Sequence, residues 1–289
     1  MELKSVAKLK PQKFNREQQL WVEDQDNFGK IQQNQLKLVT FNVWYTDYYH
    51  QERAKFLLKI VKNCAADLIG FQEVTSSFLQ LVLQKKWVRE NYYISDSTGE
   101  TVTPYGIILL SKFPIQQLTL YKLPSSMYRK LLVASLSINQ ESFQIGVVHL
   151  SSKKYCASRR EKQLAEIFPA MENGNHAILM GDFNFCASWT EENAKIDRKY
   201  QDIWSVLRRD EPGYTEDTDI NLMRLEQKGK AKQVRFDRIL LRSSYPGWQA
   251  NAIRLLGREP ISAKLRNVFP SDHFGLSGKI TYQTENEFG

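Results

Sequence analysis

With 289 residues, 42% of them apolar and 12% aromatic, the chain has enough apolar material for one large domain or two small ones, which excludes a disordered polyelectrolyte. A formal net charge of +8 favours a polyanionic partner, whether nucleic acid, a phosphorylated lipid headgroup or an anionic membrane surface, and does not choose among them. There is no run of about 18 apolar residues, and the lysines near Met1 have no apolar segment behind them, so neither a membrane span nor a secretory signal is expected. The expectation is an intracellular protein, nuclear or cytoplasmic. Its three cysteines, Cys64, Cys156 and Cys186, lie far apart and without metal-site spacing, so they read as reduced thiols rather than a zinc site or a disulfide frame.

Residues 1–35 are polar and glutamine-rich, with Phe14, Leu20, Trp21, Phe28 and Ile31 in no clear period, and read as an arm of which part packs on the domain. Leu36 to Asn42 alternates like a strand and ends on the asparagine. Glu52 to Cys64 has helical spacing at Phe56, Leu57, Ile60, Val61 and Cys64, and Asp67 to Val74 is a short apolar strand, so the unit is a crossover with a parallel strand pair. Both strands then finish at one edge of the sheet, one on Asn42 and the other on Glu73. Thr75 to Lys85 reads as a second helix. Tyr105–Leu110, Ile115–Leu123, Leu131–Ile138 and Phe143–Leu150 read as four strands of an antiparallel meander, the last ending on His149. Ser158 to Met171 is helical, Ala177 to Met180 is a buried strand leading to Gly181-Asp182-Phe183-Asn184, and a helix is expected around Tyr200 to Leu207. Strands at Val234–Leu241, Ala252–Leu256 and Gly275–Tyr282 close the chain. No repeat and no low-complexity linker divides residues 36–284, so 36–289 reads as one domain and a monomer is the expected state.

Six polar positions share one kind of place, at or beside a strand end: Asn42, Glu73, His149, Asp182 with Asn184, Asp237, and Asp272 with His273. Any one of them alone is ordinarily a turn residue or a helix cap. Jointly they are harder to set aside, because two of the four histidines stand in such positions. A carboxylate within an apolar strand, as in Phe71-Gln72-Glu73-Val74, is costly to bury unless it is paired or holds a cation. Oxygen ligands without cysteine mean a hard ion, Mg²⁺ first with Mn²⁺ or Ca²⁺ behind it, and metal, histidine and basic surface together point to phosphate chemistry. There is no P-loop, no dinucleotide fingerprint, no serine elbow and no zincin motif. Ser271-Asp272-His273 cannot be a hydrolytic relay, because neighbouring side chains on extended backbone point to opposite faces.

Taken in order, Thr40-Phe41-Asn42, Phe71-Gln72-Glu73-Val74, His149-Leu150-x-Ser152, Gly181-Asp182-Phe183-Asn184, Arg235-Phe236-Asp237-Arg238-Ile239 and Ser271-Asp272-His273-Phe274-Gly275 resemble the endonuclease/exonuclease/phosphatase superfamily. Met127-x-Arg129-x-Leu131-Leu132, Arg160-x-x-Gln163-Leu164, Tyr214-Thr215-x-Asp217-Thr218 and Phe269-Pro270-Ser271-Asp272-His273 are similar to its 5′-tyrosyl-DNA phosphodiesterase branch, which detaches a topoisomerase tyrosine from a DNA 5′ end. The resemblance implies a DNase I-like fold of class α/β, a four-layer α/β sandwich of two packed mixed β-sheets flanked by helices. It implies that Glu73 and Asp272 hold Mg²⁺, with Mn²⁺ able to substitute, and that Asn42 supports the metal shell or the phosphate. It further implies that Asp182 and Asn184 orient and activate water, that His149 and His273 contact non-bridging oxygens, and that Asp237 fixes the tautomer of His273. Arg129, Ser152, Lys154, Arg160, Thr215 and Arg238 are expected to hold the substrate: DNA with a 5′-tyrosyl-linked end, with RNA as a second candidate. Two positions depart from the branch, Glu216 where an aromatic residue is usual and Trp44-Tyr45 where small residues follow the first asparagine. The rival readings are another phosphodiesterase of the superfamily, such as an abasic-site endonuclease or an RNA deadenylase, and a non-catalytic scaffold that binds nucleic acid through its basic clusters.

Overall fold

The structure is a computed structural model that describes residues 6–24, 30–244 and 247–283. Two sheets carry the architecture. A seven-stranded sheet runs in the order Val6–Leu9, Gln117–Lys122, Lys130–Ile138, Glu141–His149, His176–Asp182, Asp237–Arg242, Gln201–Asp202. An eight-stranded sheet runs in the order Gly247–Leu256, Gly275–Gln283, Gln35–Asn42, Leu68–Val74, Gly106–Ser111, Tyr93–Ile94, Gln12–Asn15, Leu20–Glu23. Leu36, Leu38, Ile107 and Leu109 of one sheet and Ile145, Val147, Ile178 and Met180 of the other fill a common apolar core between them. Behind the eight-stranded sheet, Val39, Phe41 and Phe71 pack under the helices His50–Cys64 and Ser76–Leu83. Leu164, Ile167 and Phe168 of the helix Ala157–Ala170 cover the seven-stranded sheet. The result is the four-layer α/β sandwich with mixed sheets that the resemblance implied.

Strand alternation explains the layering. Leu36 and Leu38 face the inter-sheet core while Val39 and Phe41 face the helices, so both faces of this central strand are buried and it reads as a nearly continuous apolar run. Its partner Leu68–Val74 is parallel, as the crossover predicts. A second parallel pair, Glu141–His149 with His176–Asp182, sets His149 opposite Asp182.

Two expectations change. The run at 106–111 leaves the expected meander and pairs in the eight-stranded sheet, while the next three strands form their meander in the other sheet. The stretch read as an arm contributes Val6–Leu9 to one sheet edge and Gln12–Asn15 with Leu20–Glu23 to the other. Its aromatics have local work: Phe14 is buried, stacks edge-on with Trp21 at 5.5 Å and lies under the Arg89 guanidinium. Phe28 is outside the described residues. Strands of four residues carry too few side chains for a visible period.

Gly181 has φ +145, and a Cβ there would fall on the Val148 carbonyl oxygen. We expect Gly181→Ala to destabilise the protein by about 3 kcal/mol or more, read by denaturant unfolding, because the strain acts on a strand paired on both sides.

Candidate active site

The polar strand ends converge because of strand direction. Asn42 ends one parallel pair and Asp182 the other, while Asp237 opens an antiparallel strand opposite Asp182. Asp272 and His273 directly precede a strand antiparallel to Gln35–Asn42, so they arrive at the same edge. Asn42 Nδ2 donates to Asp182 Oδ2 at 3.0 Å, joining the two sheets at the site, and Asn42 Oδ1 accepts the Trp44 N–H. Ser271 Oγ donates to the Asn42 carbonyl at 2.6 Å and accepts the His273 N–H, so the serine is a latch and not a nucleophile. Arg53, buried, donates to the carbonyls of Val43, Trp44, Thr46, Tyr48 and Pro270 and so ties the loop after Asn42 to the segment before Asp272. Burial holds that guanidinium down at about 10, still fully charged at neutral pH.

Glu73 occupies a β-bulge at φ 58, a left-handed conformation that turns its carboxylate out of the sheet and into the site. Its Oε2 accepts the Tyr45 N–H at 3.2 Å, and its Oε1 lies 3.7 Å from His149 Nε2. Asp272 Oδ1 is buried without a hydrogen-bond partner, and Arg224 Nε stands 3.7 Å from Oδ2. Burial and then repulsion from Asp272 push the Glu73 carboxyl well up, and burial pushes Asp272 up in turn. Two neighbouring carboxylates whose ionisation is opposed chiefly by burial, one with an orphaned oxygen, are a donor set that a hard divalent cation fits.

Asp182, Asp237 and His273 also bring ligand atoms within 4.8 Å of one another. That trio is compensated at every carboxylate oxygen but Asp237 Oδ1, which is buried without a hydrogen-bond partner. Asp182 accepts from Asn42 Nδ2, from the Asn184 N–H at 2.8 Å and from Asn184 Nδ2 at 3.1 Å, and Asp237 Oδ2 binds His273 Nδ1 at 2.8 Å. We therefore favour Glu73 and Asp272 as the cation pair.

The two histidines are held in opposite states. Arg129 Nη1 donates to His149 Nδ1 at 2.9 Å, which assigns the remaining proton to Nε2. Burial, then Arg129 and His273, hold His149 well below its ordinary range, so it is neutral. Its Nε2 has no partner and points between Asp182 Oδ2 at 3.4 Å and Glu73 Oε1 at 3.7 Å. For His273, burial opposes charge but Asp237 and Asp182 outweigh it, and the ring is held well above its ordinary range as an imidazolium. Asp182 is raised chiefly by burial.

The expected substrate residues divide. Lys154 is exposed, and Ser152 is half-buried with its Oγ 3.4 Å from Met127 Sδ. The other four are buried on partners within the protein. Arg160 is fully buried on Glu192 at 2.6 Å and on the Ser151 and Lys153 carbonyls. Arg238 is buried on Asn193 Oδ1, the Phe185 carbonyl and the Phe185 ring. Thr215 is buried, its Oγ1 accepting the N–H groups of Phe236 and Asp237 and its carbonyl accepting that of Phe274. Arg129 stands behind His149. A cation or hydroxyl in a motif looks the same in sequence whether it meets substrate or the protein's own polar groups, as these four do here.

A charge network was missed. Glu216 is 1% exposed and pairs with Arg224 and with Lys232, the latter at 2.7 Å. Burial opposes its ionisation, but His273, Lys232 and Arg224 together hold its carboxyl below the ordinary range. Arg224 thereby links Glu216 to Asp272. The only sequence signal was the acid standing where the branch has an aromatic residue.

The family model for the Endonuclease/Exonuclease/phosphatase family matches residues 39–273. Tyrosyl-DNA phosphodiesterase 2 of Xenopus laevis is 29% identical over 250 residues, 82% of this chain and 65% of that protein. The same-named protein of Rattus norvegicus is 26% identical over 249 residues, 83% of this chain and 65% of that protein. The chain thus spans about two thirds of these relatives' length, at 65%. Among solved structures, D. rerio TDP2 complexed with single strand DNA product superposes with TM-score 0.73 at 23% identity, over 86% of this chain and 100% of that one. Truncated Caenorhabditis elegans TDP2 gives 0.72 at 23%, over 86% and 97%.

Two outcomes are expected. Mg²⁺ or Mn²⁺ at about 100 times its Kd stabilises the wild-type fold by about 2.7 kcal/mol, read as a rise in Tm. Glu73→Gln loses that rise, and its metal-free Tm is at or above the wild-type value because a repelling charge is gone.

Proposed function

We propose, since the chain belongs to the endonuclease/exonuclease/phosphatase family, that it is a Mg²⁺-dependent phosphodiesterase that hydrolyses 5′-phosphotyrosyl bonds at DNA ends and leaves a 5′-phosphate, in the repair of topoisomerase adducts. One observation carries the chemistry: two carboxylates raised chiefly by burial, Glu73 and Asp272, stand beside a neutral imidazole and an imidazolium at one edge of the sheets. The relatives named tyrosyl-DNA phosphodiesterase 2 support the substrate, and the single-strand DNA product held by one neighbour supports DNA as the polymer.

Glu73 and Asp272 would hold the divalent ion, with Asn42 steadying the Asp182 carboxylate beside it. When bound, that ion supplies charge neutralisation at the phosphodiester and at the departing oxygen. His149 donates from Nε2, its tautomer set by Arg129, to a non-bridging oxygen. His273 offers the charged ring to the other oxygen, with Asp237 behind it at 2.8 Å. Asp182 accepts the proton of the attacking water, and its raised pKa suits a base. Asn184 holds Asp182 from one side and the Leu150 carbonyl from the other, so its part is to orient Asp182. A tyrosine phenolate departs at a pKa of about 10, which asks for no strong general acid.

The test is a panel of 5′-tyrosyl oligonucleotide, abasic duplex and oligo(A) with Mg²⁺. The tyrosyl oligonucleotide is turned over fastest, chelation abolishes turnover, and Asp182→Asn lowers kcat by about 10³-fold. Full activity after chelation contradicts the mechanism, and preference for either other substrate contradicts the substrate assignment.

A further inference from the structure

Tyr45, Tyr105 and Arg129 form a stack that runs from solvent to His149, and the mechanism above uses only its inner end. The Tyr45 and Tyr105 rings lie face to face, centroids 4.8 Å apart and 12° from parallel. The Arg129 guanidinium carbon stands 5.7 Å from the Tyr105 centroid, and its Nη1 reaches His149 Nδ1 at 2.9 Å. At the outer end the Tyr45 N–H is bound to Glu73 Oε2, so the backbone that carries this ring is tied to the carboxylate proposed to hold the cation.

Packing does not account for Tyr45. Its neighbour Trp44 is buried at 7% exposure with Arg53 4.7 Å from the indole, whereas Tyr45 is 50% exposed. Stacking on Tyr105 covers one face of the ring and leaves the other to water. Tyr128, 63% exposed, lines a small pocket with Tyr105, Arg129, Lys130 and His149, so the surroundings combine aromatic faces with cations. Aromatic faces interleaved with positive charge beside a backbone-phosphate site are what single-stranded nucleic acid requires, because every base has a π-face and every linkage a negative charge. The net charge of +8 accords with such a polyanion.

We propose that the outer face of Tyr45 is a nucleobase-stacking subsite, which takes the base of the 5′-terminal nucleotide while that nucleotide's phosphate sits at Glu73 and His149. The proposal rests on the phosphodiesterase reading and adds to it how a strand end is held. It assigns a specificity role to a residue that no motif of the family marks.

The probe is a short 5′-phosphorylated single strand with 2-aminopurine as its terminal base, whose fluorescence is quenched by stacking. Wild type quenches it on binding. Tyr45→Ala loses the quench and raises Kd about tenfold, while Tyr45→Trp and Tyr45→Phe retain both. A matched strand with an abasic terminal sugar binds wild type and Tyr45→Ala equally. Unchanged quenching in Tyr45→Ala overturns the subsite, and so does an equal loss of affinity for the abasic strand, which would mean that Tyr45 acts through Glu73. Turnover of 4-nitrophenyl methyl phosphate, which has no base, tests the phosphodiesterase reading separately. Failure there with Tyr45-dependent quenching intact removes the activity and leaves the subsite standing.

Discussion

The hydrogen bond from Asn42 Nδ2 to Asp182 Oδ2, 3.0 Å, is the constraint on which the site depends. It joins the ends of two strands from different sheets, each belonging to a parallel pair, and it is buried. A bond of this kind pins the two sheets to each other at one edge and so fixes how their strand ends meet. Arg53 and Ser271 reinforce the junction by binding the loop after Asn42 to the segment before Asp272. The core between the sheets supplies most of the stability, and these few polar contacts hold the strand ends together at the site.

The same convergence makes the site electrostatically expensive. Glu73, Asp182, Asp237, Glu216 and Asp272 meet at one edge, mostly buried, and each is compensated differently. Asp182 is held by amides, Asp237 by His273, Glu216 by Lys232 and Arg224. Glu73 has the Tyr45 N–H and Asp272 has Arg224 at 3.7 Å, too little to offset their burial, which distinguishes this pair from the better compensated acids beside it. Opposite protonation of His149 and His273 follows from their backing groups, a guanidinium behind one and a carboxylate behind the other. The arrangement therefore offers a neutral donor and a charged one without any difference in residue type.

Much of this was legible in the chain. The first crossover unit, the long strands and the placing of Asn42 and Glu73 at one edge follow from apolar period and strand direction, whereas the gathering of His149, Asp182 and Asp272 with them was implied by the resemblance. Illegible were features settled by distant partners. Arg160 and Arg238 look like groove cations until Glu192 and Asn193, more than thirty residues away, are seen to hold them. The bulge at Glu73 left only two adjacent polar residues as a trace. Glu216 was seen as a departure, but its partners Arg224 and Lys232 lie on a short helix and loop too brief to show a period.

The central claim is that the cation belongs to Glu73 and Asp272, with Asp182, Asp237 and His273 reserved for water and phosphate. Anomalous diffraction from Mn²⁺-soaked crystals tests it directly. The account predicts a peak within coordination distance of one carboxylate oxygen from Glu73 and one from Asp272. A sole peak bound by Asp182, Asp237 and His273 would contradict it.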